Sequence, residues 1–525
     1  MKRKILFLLP LCVLVACSQS AGLDDEWGQQ PDPGIQHGMI QLGEKLEDPY
    51  TVANMQKALQ NVYGTKAERV DITATDLYVR FLPKDNDEYM ALVKSGLYLL
   101  DHPMDYSILR EGDYYQDPEV GDEAITWQYA VVPREFQFPS GVKYEILDDV
   151  YISEHAPTTR ADEGIDWGLV EKEAYRLTGN EDLWCEPTKA TSGAPSGRIT
   201  IEDPQFSGGK PFGVAGVEVA ANIFVKIATT YTNRDGYYQM SKTFSGQPRY
   251  RLVFSNEKGF NIGFNFLLVP ASVSTLGKGE PSGIDLHVSQ KDSEGALFRR
   301  CVVNNAAYDY YSRCTEDDLD VAPPPGDLRI WIFPDLKCSS ANMLHHGAFL
   351  THTVIVAYLK EYLPLVKLFM PDVTIGTKEL TYAQIYETVV HELAHTSHFA
   401  QVGNDFWTPY IDYVLLSFVT EGGRAYGSGS ADNANYCEIG EMWAYFMQET
   451  LKKDRYGGTI KQFGNNFWFK PDIFTYLYER GISRGEIFRA LTAEVTSTED
   501  LKEELITQLP DRETVITQTF KHYGK

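Results

Sequence analysis

The feature that most constrains the fold is a short polar motif inside an apolar helical pattern, in residues 381–400. Within it, His391 and His395 are four residues apart and Glu392 follows the first histidine, giving the string HELAH. Apolar residues precede the motif at helical spacing: Tyr382, Ile385, Tyr386, Val389 and Val390. Since positions i and i+4 of a helix share one face, the pattern predicts an amphipathic helix with both histidines on one side.

Two imidazoles on one helical face can bind the same metal ion. Zinc with two histidines, a third protein ligand and one open position is the usual catalytic arrangement. Glu392 lies one step round the helix, where its carboxylate can reach a zinc-bound water without being a ligand. Zinc lowers the pKa of that water toward roughly 7, and the carboxylate accepts the proton as the water attacks a carbonyl. We therefore expect His391 and His395 to bind Zn2+ and Glu392 to be the general base.

The third ligand has to come from outside this motif. His398 shares a side of the helix with His391, but the two are about 10 Å apart along the axis at about 1.5 Å per residue. One zinc ion with ligand bonds of about 2 Å does not bridge that distance on a straight helix. The longer HExxHxxGxxH pattern is absent too, because His398 and Gln401 occupy its glycine and last histidine positions. This leaves a glutamate on a later helix.

Three glutamates are candidates for that ligand. Glu441 ranks first, because Cys437 and Ala444 form a small-residue stripe beside it that allows close packing against the histidine helix. Glu438 lies one turn earlier on nearly the same face and ranks second. Glu421 ranks third, since the glycines that follow it indicate a loop.

The strings HELAHTSHF and NANYCEIGEMWAYFM together resemble gluzincin-type zinc-binding metallopeptidases that occur as lipoproteins in Bacteroidetes-type bacteria. Those proteins pair HELAH with a GEMW-like glutamate, and the resemblance covers much of residues 328–525. It implies a zinc-dependent metallopeptidase in which His391, His395 and Glu441 bind the metal and Glu392 is the base. It does not identify the substrate.

Other polar residues have less specific roles. A tyrosine or histidine is expected to stabilise the oxyanion, and the candidates are Tyr426, Tyr436 and His398. Three further histidines lack a carboxylate at ligand spacing and are expected to line the cleft or pack: His345, His346 and His352.

Two alternative functions stay open at this point. The first is a surface binding or adhesion lipoprotein whose zinc site is structural. The second is a zinc hydrolase that acts on a non-peptide amide or ester. The sequence also leaves the oligomeric state unknown.

The first sixteen residues have the pattern of a bacterial export signal. A basic start, KRK, precedes an apolar run that is too short to remain as a membrane span. The run ends in LVAC, which resembles a lipobox with cleavage before Cys17. Because two or more acyl chains give stable anchoring, we expect a lipoprotein held in the membrane through Cys17. The expected location is the cell envelope, at the outer membrane, either periplasmic or surface-exposed.

Charge and cysteine content restrict the partners. Removal of residues 1–16 leaves 45 basic against 73 acidic side chains, a net charge of −28. Nucleic acid is therefore not an expected partner, since phosphate binding needs clustered Lys and Arg. The expected partners are a protein or peptide substrate and the membrane. Five cysteines follow Cys17, and Cys301 with Cys314 is the easiest disulfide to envisage.

The predicted fold class is multidomain α+β. After a lipidated tether, 17–43, the predicted order is an N-terminal α+β domain, a linker, a central Ig-like β-sandwich, a connecting segment and a mainly helical zincin-type catalytic domain. Their ranges are 44–157, 158–196, 197–269, 270–322 and 323–525. We also expect a chain that begins near Val321 to fold alone. Patterns predict helices at 52–63 and 86–94, and strands at 76–82, 97–100 and 328–333.

Two further resemblances concern the first two domains. The strings LYVRFLP, DHPMDY and TWQYAVVP resemble an N-terminal domain that recurs in Bacteroidetes lipoproteins with different C-terminal parts. The string TNRDGY, which follows an alternating strand, resembles carboxypeptidase regulatory-like domains, which are small Ig-like sandwiches. That resemblance covers about seventy residues and implies a structural or docking role.

Overall fold

The structure is a computed structural model that describes most of residues 39–525. The residues left out within this span are 71, 113, 122–123, 158–162, 186–192, 265–270, 293–294, 317–318, 348–370 and 422–425. The predicted signal, Cys17, most of the tether and His352 lie outside the described residues.

The described part of the chain is a mixed α+β, multidomain protein whose C-terminal region is helical. It contains ten α-helices: α1 (Val52–Tyr63), α2 (Asn86–Lys94), α3 (Trp167–Leu177), α4 (Ala296–Thr315), α5 (Tyr382–Thr420), α6 (Ala434–Tyr456), α7 (Asp472–Glu479), α8 (Arg484–Arg489), α9 (Thr498–Gln508) and α10 (Glu513–His522). None of the helices in these ranges is both long enough and apolar enough to cross a membrane.

The same residues contain seventeen strands: β1 (Gln41–Lys45), β2 (Asp76–Leu82), β3 (Tyr106–Arg110), β4 (Gln128–Pro133), β5 (Lys143–Val150), β6 (Ser196–Ile201), β7 (Phe212–Gly213), β8 (Val217–Ile223), β9 (Lys226–Tyr231), β10 (Tyr237–Gln239), β11 (Arg249–Asn256), β12 (Phe260–Phe264), β13 (Val273–Lys278), β14 (Leu286–Val288), β15 (Leu328–Phe333), β16 (Ser340–Ala341) and β17 (Val373–Gly376). The predicted helices at α1 and α2 and the predicted strands at β2 and β15 are confirmed.

The first part of the chain forms two small antiparallel sheets. β4, β2 and β5 make one sheet in that order, and β1 pairs with β3 in the other. The predicted strand at 97–100 is wrong, because only Leu100 makes a bridge, to Tyr129. The chain turns away directly afterwards, at the Asp101-His102-Pro103 sequence, so no ladder develops.

The largest sheet contains strands from the middle of the chain and strands that pack against α5, the helix that carries His391 and His395. Its order is β16-β17-β15-β12-β11-β8-β9, with β13 also paired to β11. β12 belongs to the range predicted as a β-sandwich, and it pairs in parallel with β15 of the predicted catalytic range. β15 is buried along its whole length, and its sequence LRIWIF is apolar apart from Arg329, as is favoured for a central parallel strand. β16 forms one edge of this sheet, and α5 packs against both β16 and β17.

Three helices form the layer next to this sheet. α4 packs against α5, and fourteen of the twenty residues of α4 are buried. Tyr310 of α4 donates a hydrogen bond to Ser397 of α5, with an oxygen–oxygen distance of 3.0 Å. α6 packs along α5 on another side. A capping box of Thr381 and Gln384 starts α5, and the helix is interrupted at Gly403, whose φ of 68° lies in the left-handed region.

The expected disulfide between Cys301 and Cys314 is wrong. Both cysteines lie on α4, thirteen residues apart, which corresponds to about 20 Å along a helix. A disulfide requires Cα atoms within about 7 Å, so a continuous helix keeps the two thiols separate. Both are free, as are Cys185, Cys338 and Cys437.

The shared sheet predicts that a chain beginning at Val321 does not fold alone, in contrast to the expectation from the sequence. Such a chain lacks β12, which leaves an open edge on β15, and lacks α4, which uncovers an apolar face of α5. We expect it to be insoluble, or to unfold without a cooperative transition, when it is prepared beside a chain of residues 18–525. A soluble, cooperatively unfolding product that binds zinc like the longer chain would contradict this.

Candidate metal centre

Three side chains from α5 and α6 converge in the helical region. Donor atoms of His391, His395 and Glu441 all lie within 4.8 Å of one another, and all three residues are buried. The Nε2 of His391 is 3.5 Å from one carboxylate oxygen of Glu441, and the Nε2 of His395 is 3.4 Å from the other. Two ligands of a tetrahedral zinc ion, each about 2.0–2.1 Å from it, are about 3.3 Å apart. The spacing therefore fits a zinc ion.

Hydrogen bonding gives a second reason to expect a cation here. The Nε2 atoms of His391 and His395 and the Oε2 of Glu441 are buried and have no hydrogen-bond partner among the described residues. Buried polar atoms without partners are costly and uncommon, unless an ion or water satisfies them. Within the described ranges, no other group of three or more His, Cys, Asp or Glu side chains has metal-binding spacing.

Small residues on α6 allow the three side chains to meet. Gly440 faces α5, and a Cβ atom built there would lie 3.2 Å from the ring of Tyr410. Cys437 and Ala444, one turn on either side of Gly440, are fully buried. The indole of Trp443 donates a hydrogen bond to the carbonyl of Ala394, with a nitrogen–oxygen distance of 3.1 Å. The close approach of the two helices places Glu441 opposite the histidines.

Two of the three side chains have a polar partner on the side away from the cluster. The hydroxyl of Tyr410 donates a hydrogen bond of 2.6 Å to Oε1 of Glu441. The Nδ1 of His391 is 3.1 Å from Oε1 of Gln448. The sequence analysis identified neither residue. Gln448 follows Glu441 by seven residues, two helical turns, and that spacing is a signal that could have found it.

Burial controls the protonation of the cluster. It lowers the pKa of His395, although the charge of Glu441 acts in the opposite direction. His395 is thus held neutral, which is the form that binds metals. Burial also raises the pKa of Glu392 well above its usual range, and the charge of Glu441 adds to this effect.

Glu392 lies between the cluster and the edge of the large sheet. Its side chain is buried, and its carboxylate lies close enough to the backbone N–H of Ala341 in β16 for that group to act against the rise in pKa that burial causes. The same edge strand pairs with β17 on its other side. Within the described part of the chain, Glu392 therefore lies between the cluster of His391, His395 and Glu441 and the edge strand β16.

The remaining glutamate candidates are not part of the cluster. Glu438 forms an ion pair with Lys525 at the end of the chain. Glu421 is the residue that caps the C-terminus of α5, and its backbone N–H donates to the carbonyl of Ser417. Neither residue shares the donor spacing of His391, His395 and Glu441.

The oxyanion candidates lie at different distances from the cluster. Tyr426 is linked to Tyr445 by a hydrogen bond of 2.8 Å between their hydroxyls, and the Tyr445 ring centroid is 4.6 Å from that of His391. His398 is fully buried beside Phe406, with 4.7 Å between ring centroids, and burial lowers its pKa to about 3. Tyr436 packs against Phe406, with 5.1 Å between their ring centroids.

Two of the three other histidines lie near carboxylates of the sheet. His345 is 3.2 Å from Asp327, and the Nδ1 of His346 is 2.9 Å from Asp372. The ring of His346 also packs against Phe399 of α5, at 6.1 Å. His346 therefore packs beside the helix that carries His391 and His395, while His345 contacts Asp327 and the ring of His346.

Comparison with known proteins does not assign the chain to a family. No protein-family model matches the chain, and no curated protein matches it significantly.

The geometry predicts which glutamate holds the metal. Glu441→Ala should lower zinc affinity sharply, because it removes a negative ligand and leaves two imidazoles. Glu438→Ala and Glu421→Ala are matched controls on neighbouring carboxylates and should keep wild-type affinity. Zinc content of the three purified variants, after dialysis against the same chelator, is the measurement. Loss of zinc in either control with retention in Glu441→Ala would refute the assignment.

Proposed function

We propose that the protein is a zinc-dependent metallopeptidase of the gluzincin type. The observation that carries the proposal is the buried convergence of His391, His395 and Glu441, with Glu392 adjacent on the same helix. The donor set of two imidazoles and one carboxylate is that of several zinc peptidases. In this proposal the three residues hold zinc and leave one position open.

Zinc in such a site supplies a Lewis acid that lowers the pKa of a bound water and polarises a carbonyl. Glu392 accepts the proton from the attacking water and later passes it to the leaving amine. The backbone N–H of Ala341 lies beside this carboxylate and partly offsets the rise in its pKa that burial causes. Tyr410 holds the carboxylate of Glu441 from behind, so the ligand keeps its orientation.

The position of β16 supports a peptide substrate. An extended peptide can add to a free sheet edge through main-chain hydrogen bonds. Among the described strands, β16 is at the edge of the large sheet, and it packs against the helix that carries Glu392. In this proposal an extended peptide bound beside β16 would pass close to Glu392.

We extend the proposal to the whole chain. In it, the helical C-terminal region is a zincin-type domain and residues 197–269 are an Ig-like sandwich of the carboxypeptidase regulatory-like kind. Lipidation at Cys17 anchors the protein at the outer membrane. A net charge of −28 on the mature chain is compatible with solubility outside the cell.

One observation favours a second candidate, a binding or adhesion lipoprotein with a structural zinc site. His395 and Glu441 are fully buried, and Glu392 is only 1% exposed, which resembles a closed structural site more than an open catalytic one. A closed site needs no general base. The role of Glu392 therefore separates the two candidates.

Glu392→Gln tests the proposal because it removes the base and keeps the ligands. We expect the variant to retain zinc and to lose turnover by about a hundredfold to ten-thousandfold. The substrates are casein and a broad peptide library, assayed with the full mature chain. Glu387→Gln is the matched control, since Glu387 lies on the same helix and pairs with Lys452 outside the cluster.

Three results would decide between the candidates. Zinc binding with no wild-type cleavage across the library favours the structural site. Cleavage of an amide or ester library without peptide cleavage favours a non-peptide hydrolase. Equal turnover in wild type and Glu392→Gln would contradict Glu392 as the base.

A further inference from the structure

We infer that Gln448, oriented by Glu449, fixes His391 in the Nδ1–H tautomer and so presets this histidine as a metal ligand. Gln448 is a positioning residue, since it contacts His391 and none of the other ligand atoms described above. The inference rests on the proposed function for its consequence, metal affinity, while the tautomer itself can be measured without metal.

The contact between Gln448 and His391 is buried and short. Oε1 of Gln448 is 3.1 Å from Nδ1 of His391, and Gln448 is 5% exposed. An amide oxygen is only an acceptor, so the ring nitrogen has to be the donor. If Nδ1 carries the proton, Nε2 of the neutral ring has its lone pair free. That Nε2 is the atom 3.5 Å from Glu441.

Glu449 determines which end of the amide faces the histidine. The amide nitrogen of Gln448 donates a hydrogen bond of 3.1 Å to Oε1 of Glu449, which is 2% exposed. A flipped amide would turn its oxygen toward the carboxylate, placing two acceptors against each other in a buried site. The carboxylate therefore holds the amide oxygen toward His391, and a chain of three residues sets the tautomer.

The second histidine has no equivalent partner. Nδ1 of His395 makes no hydrogen bond within the described part of the chain. The two imidazole ligands thus differ: His391 is held from behind, and His395 is positioned by packing against Trp407 and Tyr410. This asymmetry makes His395 an internal control for any experiment on His391.

The test uses the full mature chain with Gln448→Met, which keeps the side-chain length and removes the acceptor. We expect the zinc dissociation constant to rise about tenfold to a hundredfold, as is typical when a partner behind a metal-bound histidine is lost. Gln401→Met is the matched control. Gln401 also lies in the helical region, and its amide donates to the carbonyls of Phe488 and Leu491, away from the ligands.

A double variant in which the two residues are exchanged distinguishes loss of the hydrogen bond to His391 from a general loss of stability. Gln448→Glu combined with Glu449→Gln keeps an acceptor toward His391 and reverses the direction of the second hydrogen bond. We expect this variant to have a zinc dissociation constant close to that of wild type. Melting temperatures of the metal-free variants report any general destabilisation separately from zinc affinity.

The tautomer is read by 15N NMR of histidine-labelled, metal-free protein. We expect His391 to carry its proton on Nδ1 in wild type and in the exchange variant, and to lose this preference in Gln448→Met. The resonances of His395 should not change. The same tautomer in wild type and Gln448→Met would overturn the inference.

The two readouts keep this inference separate from the proposed function. If wild type binds zinc and Gln448→Met binds it as tightly as Gln401→Met does, the inference is wrong and the proposed metal site stands. If wild type binds no zinc, the proposed function fails, and the NMR tautomer alone decides whether Gln448 orients His391.

Discussion

The close packing of α6 against α5 is the interaction on which the rest of the centre depends. It needs a small residue at Gly440, because the Tyr410 ring occupies the space that a side chain would take. The hydrogen bond from Trp443 to the carbonyl of Ala394 joins the helices in the same region. Without this contact, Glu441 would not lie within 3.5 Å of both histidines. The convergence of these three side chains is thus a product of helix packing more than of the HELAH motif alone.

The large sheet adds the second element of the proposed site. The backbone of Ala341 in β16 lies beside the Glu392 carboxylate. Strand pairing continues through the same sheet from β9 by way of β12 to β15. α4 packs against another side of α5, and the hydroxyl of Tyr310 in α4 donates a hydrogen bond to Ser397 in α5. The cluster of His391, His395 and Glu441 therefore depends on chain segments well before residue 323, although all three residues lie after it.

Local patterns in the sequence predicted the elements but not their assembly. The i, i+4 histidines and the small residues beside Glu441 correctly indicated which side chains converge, because helical periodicity is a local property. The parallel pairing of β12 with β15 joins residues more than sixty positions apart, and no local pattern specifies it. Gln448 and Tyr410 were missed for a related reason: a hydrogen bond across two helices depends on their crossing, which one sequence does not reveal.

The central claim is that one metal ion is held by His391, His395 and Glu441. Anomalous diffraction at the zinc absorption edge, from crystals of zinc-loaded protein, tests it most directly. The account predicts a single strong peak within bonding distance of the Nε2 atoms of both histidines and of the Glu441 carboxylate. A peak bound by other residues, or none at this cluster in fully loaded protein, would contradict it.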